Sequence, residues 1–250
     1  MAQGETPARK GGFIVTREMK RLTAPRSWPI SRKTKHWIAA PSPGPHSVEM
    51  SMPVLVIMRD MLHLCDTAVE ARRILSSGDI LVDGRIVKNR KLPVGLMDIV
   101  SIPKLNQHYR MLLDQRGKFE LVKIPQGKEQ WKLCRIESKT TVKGGKTQIG
   151  LHDGRSIIVD SDKYKTGDVL KIEVPTQKIL DAYKLTKGSI AMIIIGAHAG
   201  QTAIIEEYII TRTPDQNIVK FKDGTSTVKG NVFVVGSKAP EIELPEARAI

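Results

Sequence analysis

Thr67-Ala68-Val69-Glu70-Ala71-Arg72-Arg73-Ile74-Leu75-Ser76-Ser77-Gly78-Asp79-Ile80-Leu81-Val82-Asp83-Gly84-Arg85-Ile86-Val87 is the stretch on which the fold of this 250-residue chain turns. Thr67 and Glu70 have the Ser/Thr-x-x-Glu spacing of a capping box, in which hydroxyl and carboxylate each satisfy a backbone N–H that a helix start leaves unpaired. A helix therefore begins here, with Ala68, Ala71 and Leu75 on its buried face and Arg72 and Arg73 turned outward. Asp83-Gly84, between apolar runs, predicts a tight β-hairpin. Upstream, Pro53 suits the first turn of another helix, and Val54, Ile57, Met58, Met61, Leu62 and Cys65 follow at the spacing of one buried face. Arg59, Asp60 and His63 fall on the other side. Downstream, Lys88-Asn89-Arg90-Lys91 precedes a short strand at Asp98-Ile99-Val100-Ser101-Ile102.

Two short helices followed by strands, with cations on the helix and beyond the hairpin, would present one positive face to an RNA groove. Arg59, Arg72, Arg73, Lys88, Arg90 and Lys91 are its candidate RNA contacts. Arg73 stands three residues from Glu70, so an intrahelical ion pair also explains it. Arg72 has no such partner and is the stronger phosphate ligand.

The charge balance fits this face. Forty basic and 26 acidic residues leave a net charge of +14, an imbalance that points to polyanionic partners. Residues 1–48 hold nine Lys/Arg against two acids, so half of the excess sits in about the first fifth of the chain. The same segment contains Pro7, Pro25, Pro29, Pro41, Pro43 and Pro45 and little apolar periodicity, which predicts an extended arm without a core, ordering on binding. Within it Lys20, Arg21, Arg26, Arg32, Lys33 and Lys35 interleave with Trp28 and Trp37, a composition suited to phosphate contacts and base stacking. Either tryptophan would serve equally to pin the arm to the protein's own surface.

Residues 105–175 alternate short apolar runs with glycine turns and predict a small, mainly-β, barrel-like domain. Lys143, Lys146 and Arg155 lie around its turns as further candidate RNA contacts, although solvated loop cations explain them as well. Gly145-Lys146-Thr147 is no phosphate loop, because Thr140 stands where the pattern needs glycine and a strand, not a helix, follows. From 176, Gly188, Ile190 to Ile195, Gly196-Ala197-His198-Ala199-Gly200 and Ala203-Ile204-Ile205 read as strand, glycine-pinned loop and strand. Residues 237–250 read as a tail. Cys65 and Cys134 lack ligand neighbours in sequence and are expected as reduced core thiols. The longest wholly apolar run, Ile190 to Ile195, is too short for a bilayer, so a soluble intracellular protein is expected.

The order of capped helix, Gly78, Ile80-Leu81-Val82-Asp83-Gly84-Arg85 and Asp98-Ile99-Val100 resembles the α-L RNA-binding module of ribosomal proteins, tyrosyl-tRNA synthetases, pseudouridine synthases and RNA methyltransferases. The flanks Lys20-Arg-Leu-Thr-Ala-Pro-Arg-Ser-Trp28, Pro41-Ser-Pro-Gly-Pro-His46, Pro93-Val-Gly-Leu-Met-Asp-Ile-Val-Ser-Ile102 and Trp131-Lys-Leu-Cys-Arg135 are similar to small-subunit ribosomal protein four of the archaeal/eukaryotic type, in its archaeal form. The 188–205 segment resembles a KOW motif at the heart of an SH3-like barrel, Gly200 matching its characteristic glycine while Gln201 and Ala203 depart from it.

The resemblance implies an α+β multidomain chain: an extended basic arm (1–48), a helix-helix-β RNA-binding module (49–104), a central β domain (105–175), a KOW/SH3-like β barrel (176–236) and a C-terminal tail (237–250). It implies a non-enzymatic constituent of the small ribosomal subunit, in the cytoplasm, bound to rRNA and neighbouring ribosomal proteins. No cofactor, metal, membrane, small-molecule substrate or obligate homo-oligomer is expected. An RNA-modifying enzyme borrowing the module is the competing class. It would need a catalytic aspartate in an Arg-Leu-Asp context or a glycine-rich cofactor turn, and Arg110-Met-Leu-Leu-Asp114 has the wrong spacing for the first. A KOW-type elongation or assembly factor is the third reading.

Overall fold

In the computed structural model, Thr67 starts its helix as the spacing with Glu70 requires. Thr67 Oγ1 accepts from the Glu70 N–H at 3.3 Å, and Glu70 Oε2 accepts from the N–H groups of Asp66 and Thr67 at 2.9 and 3.3 Å. The structure describes residues 18–160, 163–211 and 216–245, so the first part of the arm, 1–17, and the end of the tail, 246–250, lie outside the described residues.

Before the module come β1 (Glu18–Lys20) and β2 (Trp37–Ala39), which pair with each other, and the module opens on β3 (Ser51–Pro53). α1 (Val54–Val56) runs straight into a wider π-type turn, Ile57–Met61, whose closing bond joins the Leu62 N–H to the Ile57 carbonyl at 2.9 Å. Val54 through Met58 are all buried. The expected one-sided helix is therefore enclosed all round, which is why consecutive positions rather than a stripe are apolar. α2 (Ala68–Ser76) buries Ala71 and Leu75, as its pattern predicts.

β4 (Leu81–Val82) and β5 (Arg85–Ile86) flank Asp83 and Gly84, both left-handed at φ 51° and 71°, the backbone of a type I′ hairpin. β6 (Pro93–Gly95) pairs with β3, and β7 (Ile99–Ile102) with β4. β8 (Gln107–Leu113) and β9 (Phe119–Ile124) add two more strands to the same sheet, in the order β5-β4-β7-β8-β9. The module's sheet thus continues beyond residue 104.

A second five-stranded sheet has the order β12-β11-β10-β13-β14, from β10 (Trp131–Thr141), β11 (Thr147–Leu151), β12 (Ser156–Val159), β13 (Val169–Glu173) and β14 (Ile179–Tyr183). A third, β18-β17-β16-β15-β19, is built from β15 (Ile190–Ile193), β16 (Thr202–Ile209), β17 (Ile218–Phe221), β18 (Ser226–Val228) and β19 (Val232–Gly236). All pairings within the three sheets are antiparallel. The described chain is mainly β with a small helical module, as expected.

One apolar core runs from Trp28 and Ile38 through α1, α2 and β8 to Val235 of β19, while a second, smaller one lies on the far face of β10 and β13. Alternation divides them: Leu133 and Val169 join the first, Cys134 and Leu170 the second.

The extended arm is corrected over its described residues. Trp28 is 1 % exposed and its Nε1–H donates to the Ser51 carbonyl at 2.8 Å, with Ala24 and Ile38 buried beside it in the same core. Arg32 donates to the carbonyls of Leu22, Ala24 and Pro25, and Arg21, buried, to that of Ser31. A loop without a ladder must find partners for its carbonyls, and two guanidiniums supply them. Prolines and cations gave this segment the composition of a free arm, but its indole and guanidiniums are used internally. The tail is also packed, Ile242 being buried and Glu241 paired with Lys171 at 3.0 Å.

Candidate nucleic-acid interface

The satisfied N-terminus of α2 leaves Arg72 and Arg73 exposed on its outer face, and Lys88 is exposed just past the hairpin. Neither Arg72 nor Lys88 has an ion pair among the described residues. Arg73 lends its charge to Glu70, whose carboxyl lies below its usual range mainly because of the N–H of Asp66 and the capping hydrogen bonds of Thr67. Arg90 and Lys91 are half-buried and fixed at the backbone: the Arg90 carbonyl accepts from Leu55 N–H at 3.0 Å, that of Lys91 from Ser42 at 2.8 Å. Arg59 is half-buried and held by its neighbour Asp60 at 2.7 Å.

In the arm, Lys20, Arg26, Lys33 and Lys35 are exposed. So is Trp37, at 53 %, whereas Trp28 faces the core and is withdrawn as a stacking residue. Arg21 and Arg32 are likewise withdrawn as phosphate ligands, since their guanidiniums hold the arm's own carbonyls. Lys143 is exposed at a hairpin tip, and Lys146 pairs with Asp160 at 2.9 Å in solvent, an interaction worth little. The two parts of the surface meet at a groove of about 410 Å³ between arm and module, lined by Trp37, Ile38, Ala39, Leu55, Ala68, Arg59, Arg90, Lys91 and Glu18.

Arg155 is corrected too, because it belongs to a buried charge network that sequence reading missed. Lys132, 0 % exposed on β10, places its ammonium 2.6 Å from Asp83 Oδ2, 2.9 Å from Asp98 Oδ1 and 2.6 Å from Asp153 Oδ2. Arg155 reaches Asp83 at 2.6 Å and Asp153 at 3.1 Å, and His46 Nε2 lies 2.8 Å from Asp98 Oδ2. Three carboxylates thus face Lys132, Arg155 and, when protonated, His46, and the charges balance. Burial by itself lowers the Lys132 pKa, but the surrounding carboxylates, Asp98 first, raise it well above its ordinary value. Asp98, which burial by itself raises, is held far below the carboxylate range by Lys132 and His46. His46 is raised, Asp98 outweighing the opposing effect of burial. The network clamps the arm (His46), the module (Asp83, Asp98) and the second sheet (Lys132, Asp153, Arg155). A lysine among apolar neighbours at the start of β10, Trp131-Lys132-Leu133-Cys134, was the available signal.

Cys134, His152 and Asp153, far apart in a linear reading for Cys134, come within 4.8 Å of one another as potential ligands. The set does not fit a cation: Lys132 already holds Asp153, and burial pushes the Cys134 thiol well up. The glycine loop 196–200 packs against the 114–117 turn. A Cβ on Gly200 would lie 1.9 Å from the Asp114 carbonyl oxygen, and Gly117 would bring one to 3.1 Å from Ala199 Cβ. The characteristic glycine therefore serves a contact within the protein.

Comparison with known proteins identifies relatives along most of the chain. The chain matches the S4 domain over residues 52–100, the RS4NT domain over 15–49 and the ribosomal family S4e over 105–179. It is 43 % identical to the small ribosomal subunit protein eS4 of Methanothermobacter thermautotrophicus, covering 92 % of this chain and 96 % of that one. With the eS4 of Archaeoglobus fulgidus it shares 43 % identity over 90 % of this chain and 95 % of its relative. The crystal structure of the 30S ribosomal protein S4e from Thermoplasma acidophilum superposes with a TM-score of 0.67 at 38 % identity, covering 75 % of this chain and 96 % of that one.

Proposed function

The chain belongs to the ribosomal protein S4e family, and from that membership we propose that it is a non-enzymatic constituent of the small ribosomal subunit, working in the cytoplasm in translation and binding rRNA beside other ribosomal proteins. The observation that carries the reading is the outer face of α2: a helix whose own N–H groups are satisfied holds Arg72 and Arg73 out to solvent, with Lys88 beyond the adjoining hairpin. Such cations neutralise phosphates and release counterions, while the rigid elements beneath them fix which RNA segments meet. We assign the phosphate contacts to Arg72, Arg73, Lys88, Arg90 and Lys91 of the module, with Arg59, to Lys20, Arg26, Lys33 and Lys35 of the arm, and to Lys143 and Lys146. We read the second and third sheets as the central and KOW-type barrels. Register shifts at Ile136/Ser138, Lys171/Ile172, Ile190/Ala191 and Ile205/Glu207 support that reading, because bulges curl a sheet.

The test is cosedimentation. The chain should travel with small subunits through a high-salt wash in stoichiometric amount. Recovery only in the free fraction overturns the reading, and salt-labile, substoichiometric association favours a transient factor.

A further inference from the structure

We propose that the groove between arm and module is a binding site for one unpaired nucleotide of RNA, the base stacked on Trp37 and the phosphate held by Arg90 at the groove's cationic side. This rests on the reading of the chain as an rRNA-binding protein and adds the kind of RNA it takes: a looped-out or single-stranded residue rather than a duplex.

The three tryptophans differ sharply. Trp28 is buried with its N–H satisfied. Trp131 has the Arg110 guanidinium 4.5 Å and the Lys171 ammonium 4.2 Å from its ring centroid. Trp37 alone of the three is more than half exposed, and the ring packed against it, His36, meets it edge-on at 4.6 Å and 79°. A neighbour perpendicular to the indole covers at most one of its two faces and leaves the other for stacking.

Trp37 also sits where a nucleotide needs it. The groove floor is apolar, from Ile38, Ala39, Leu55 and Ala68, and Arg59, Arg90 and Lys91 line it with positive charge against the single acid Glu18. Its volume, about 410 Å³, lies in the range of small-ligand sites. An aromatic platform over an apolar floor with cations beside it matches an unstacked base with its phosphate. Bases within a duplex are already stacked and cannot enter. Both walls are held: the β1–β2 ribbon forms one side, and the carbonyls of Arg90 and Lys91 are tied to Leu55 and Ser42 on the other.

The experiment measures binding of the full-length chain to three probes, transcribed small-subunit rRNA, unstructured oligouridylate and a fully paired RNA duplex, for wild type, Trp37→Ala and Trp37→Phe. Equal unfolding midpoints establish that the variants fold. Trp37→Ala should weaken oligouridylate binding by about 5- to 150-fold, the range for losing one base–aromatic stack, without changing the salt dependence or duplex binding. Trp37→Phe should restore most of the affinity, and oligouridylate should quench the fluorescence of the wild type but not of Trp37→Phe. Wild-type affinity for oligouridylate in both variants, with rRNA binding intact, overturns the groove and leaves the rRNA reading standing. Equal competition by polyglutamate overturns it in favour of an acidic peptide. Failure of the wild type to bind any RNA removes both.

Discussion

His152 has a protonation problem set by its two hydrogen bonds. Its Nδ1 accepts from the Arg135 N–H at 3.2 Å, and its Nε2 donates to the Leu96 carbonyl at 3.2 Å, so the neutral ring is fully used. A second proton would point at another donor. Burial first, and Lys132 next, bring its pKa down to about 4 from 6.5. The folded value lies below the unfolded one, so the stabilisation is complete above pH 6.5 and is lost as pH falls towards 4. His46 has the opposite sign, since its raised pKa gives stability present at acidic pH and lost as pH rises through its folded value. Unfolding free energy measured in urea should therefore fall from pH 6.5 to about 4.5, above the main carboxylate range, with at most about 1.4 kcal/mol per pH unit coming from His152. His152→Gln should flatten or reverse that slope, and an unchanged slope would assign it to other groups. At this scale the sequence showed residue types but not their surroundings. Trp28 and Trp37 stand nine positions apart in equally basic company, and only one is exposed. Arg72 and Arg155 both read as surface cations, yet one faces solvent and the other a pair of buried aspartates.

Among the elements, the capping box of α2 and the Asp83-Gly84 hairpin were legible because the interactions that make them join residues at most seven positions apart. The π-type turn after α1 was not, because the apolar spacing over 54–65 reads as one regular helix and does not mark the single widened turn at Ile57–Met61. The glycine loop is intermediate: its strand-loop-strand pattern was visible, but its docking on the 114–117 turn was not. Gly200 is left-handed at φ 87°, and its missing side chain also admits the Asp114 carbonyl. Gly200→Ala should cost at least about 2 kcal/mol, combining backbone strain with overpacking. Gly144 has the same φ of 87° and open space around it, so Gly144→Ala should cost only about 1–2 kcal/mol from backbone strain alone. Equal losses in denaturant unfolding would show that the loop does not depend on that contact.

Across the whole molecule, the Lys132 network joins pieces that a linear reading treats as separate. Lys132→Met keeps the aliphatic stem and leaves Asp83, Asp98 and Asp153 facing one another with less countercharge. It should destabilise the chain by about 3–5 kcal/mol, the cost of removing one partner from a buried ion cluster. Because His46 sits in the cluster, the arm should become more protease-sensitive in the same variant; unaltered cleavage of the arm would mean that it is held by Trp28 alone. What the sequence determined by itself was the local and the statistical: the capped helix, the hairpin, the many short strands, the basic excess, and motif order specific enough to identify the family. What only the tertiary structure decided was which charges and rings remain for a partner. Capping and turn formation are settled by neighbours in the chain. Burial is settled by what packs from elsewhere, and Lys132 meets Asp83 and Asp98 across 49 and 34 residues of chain.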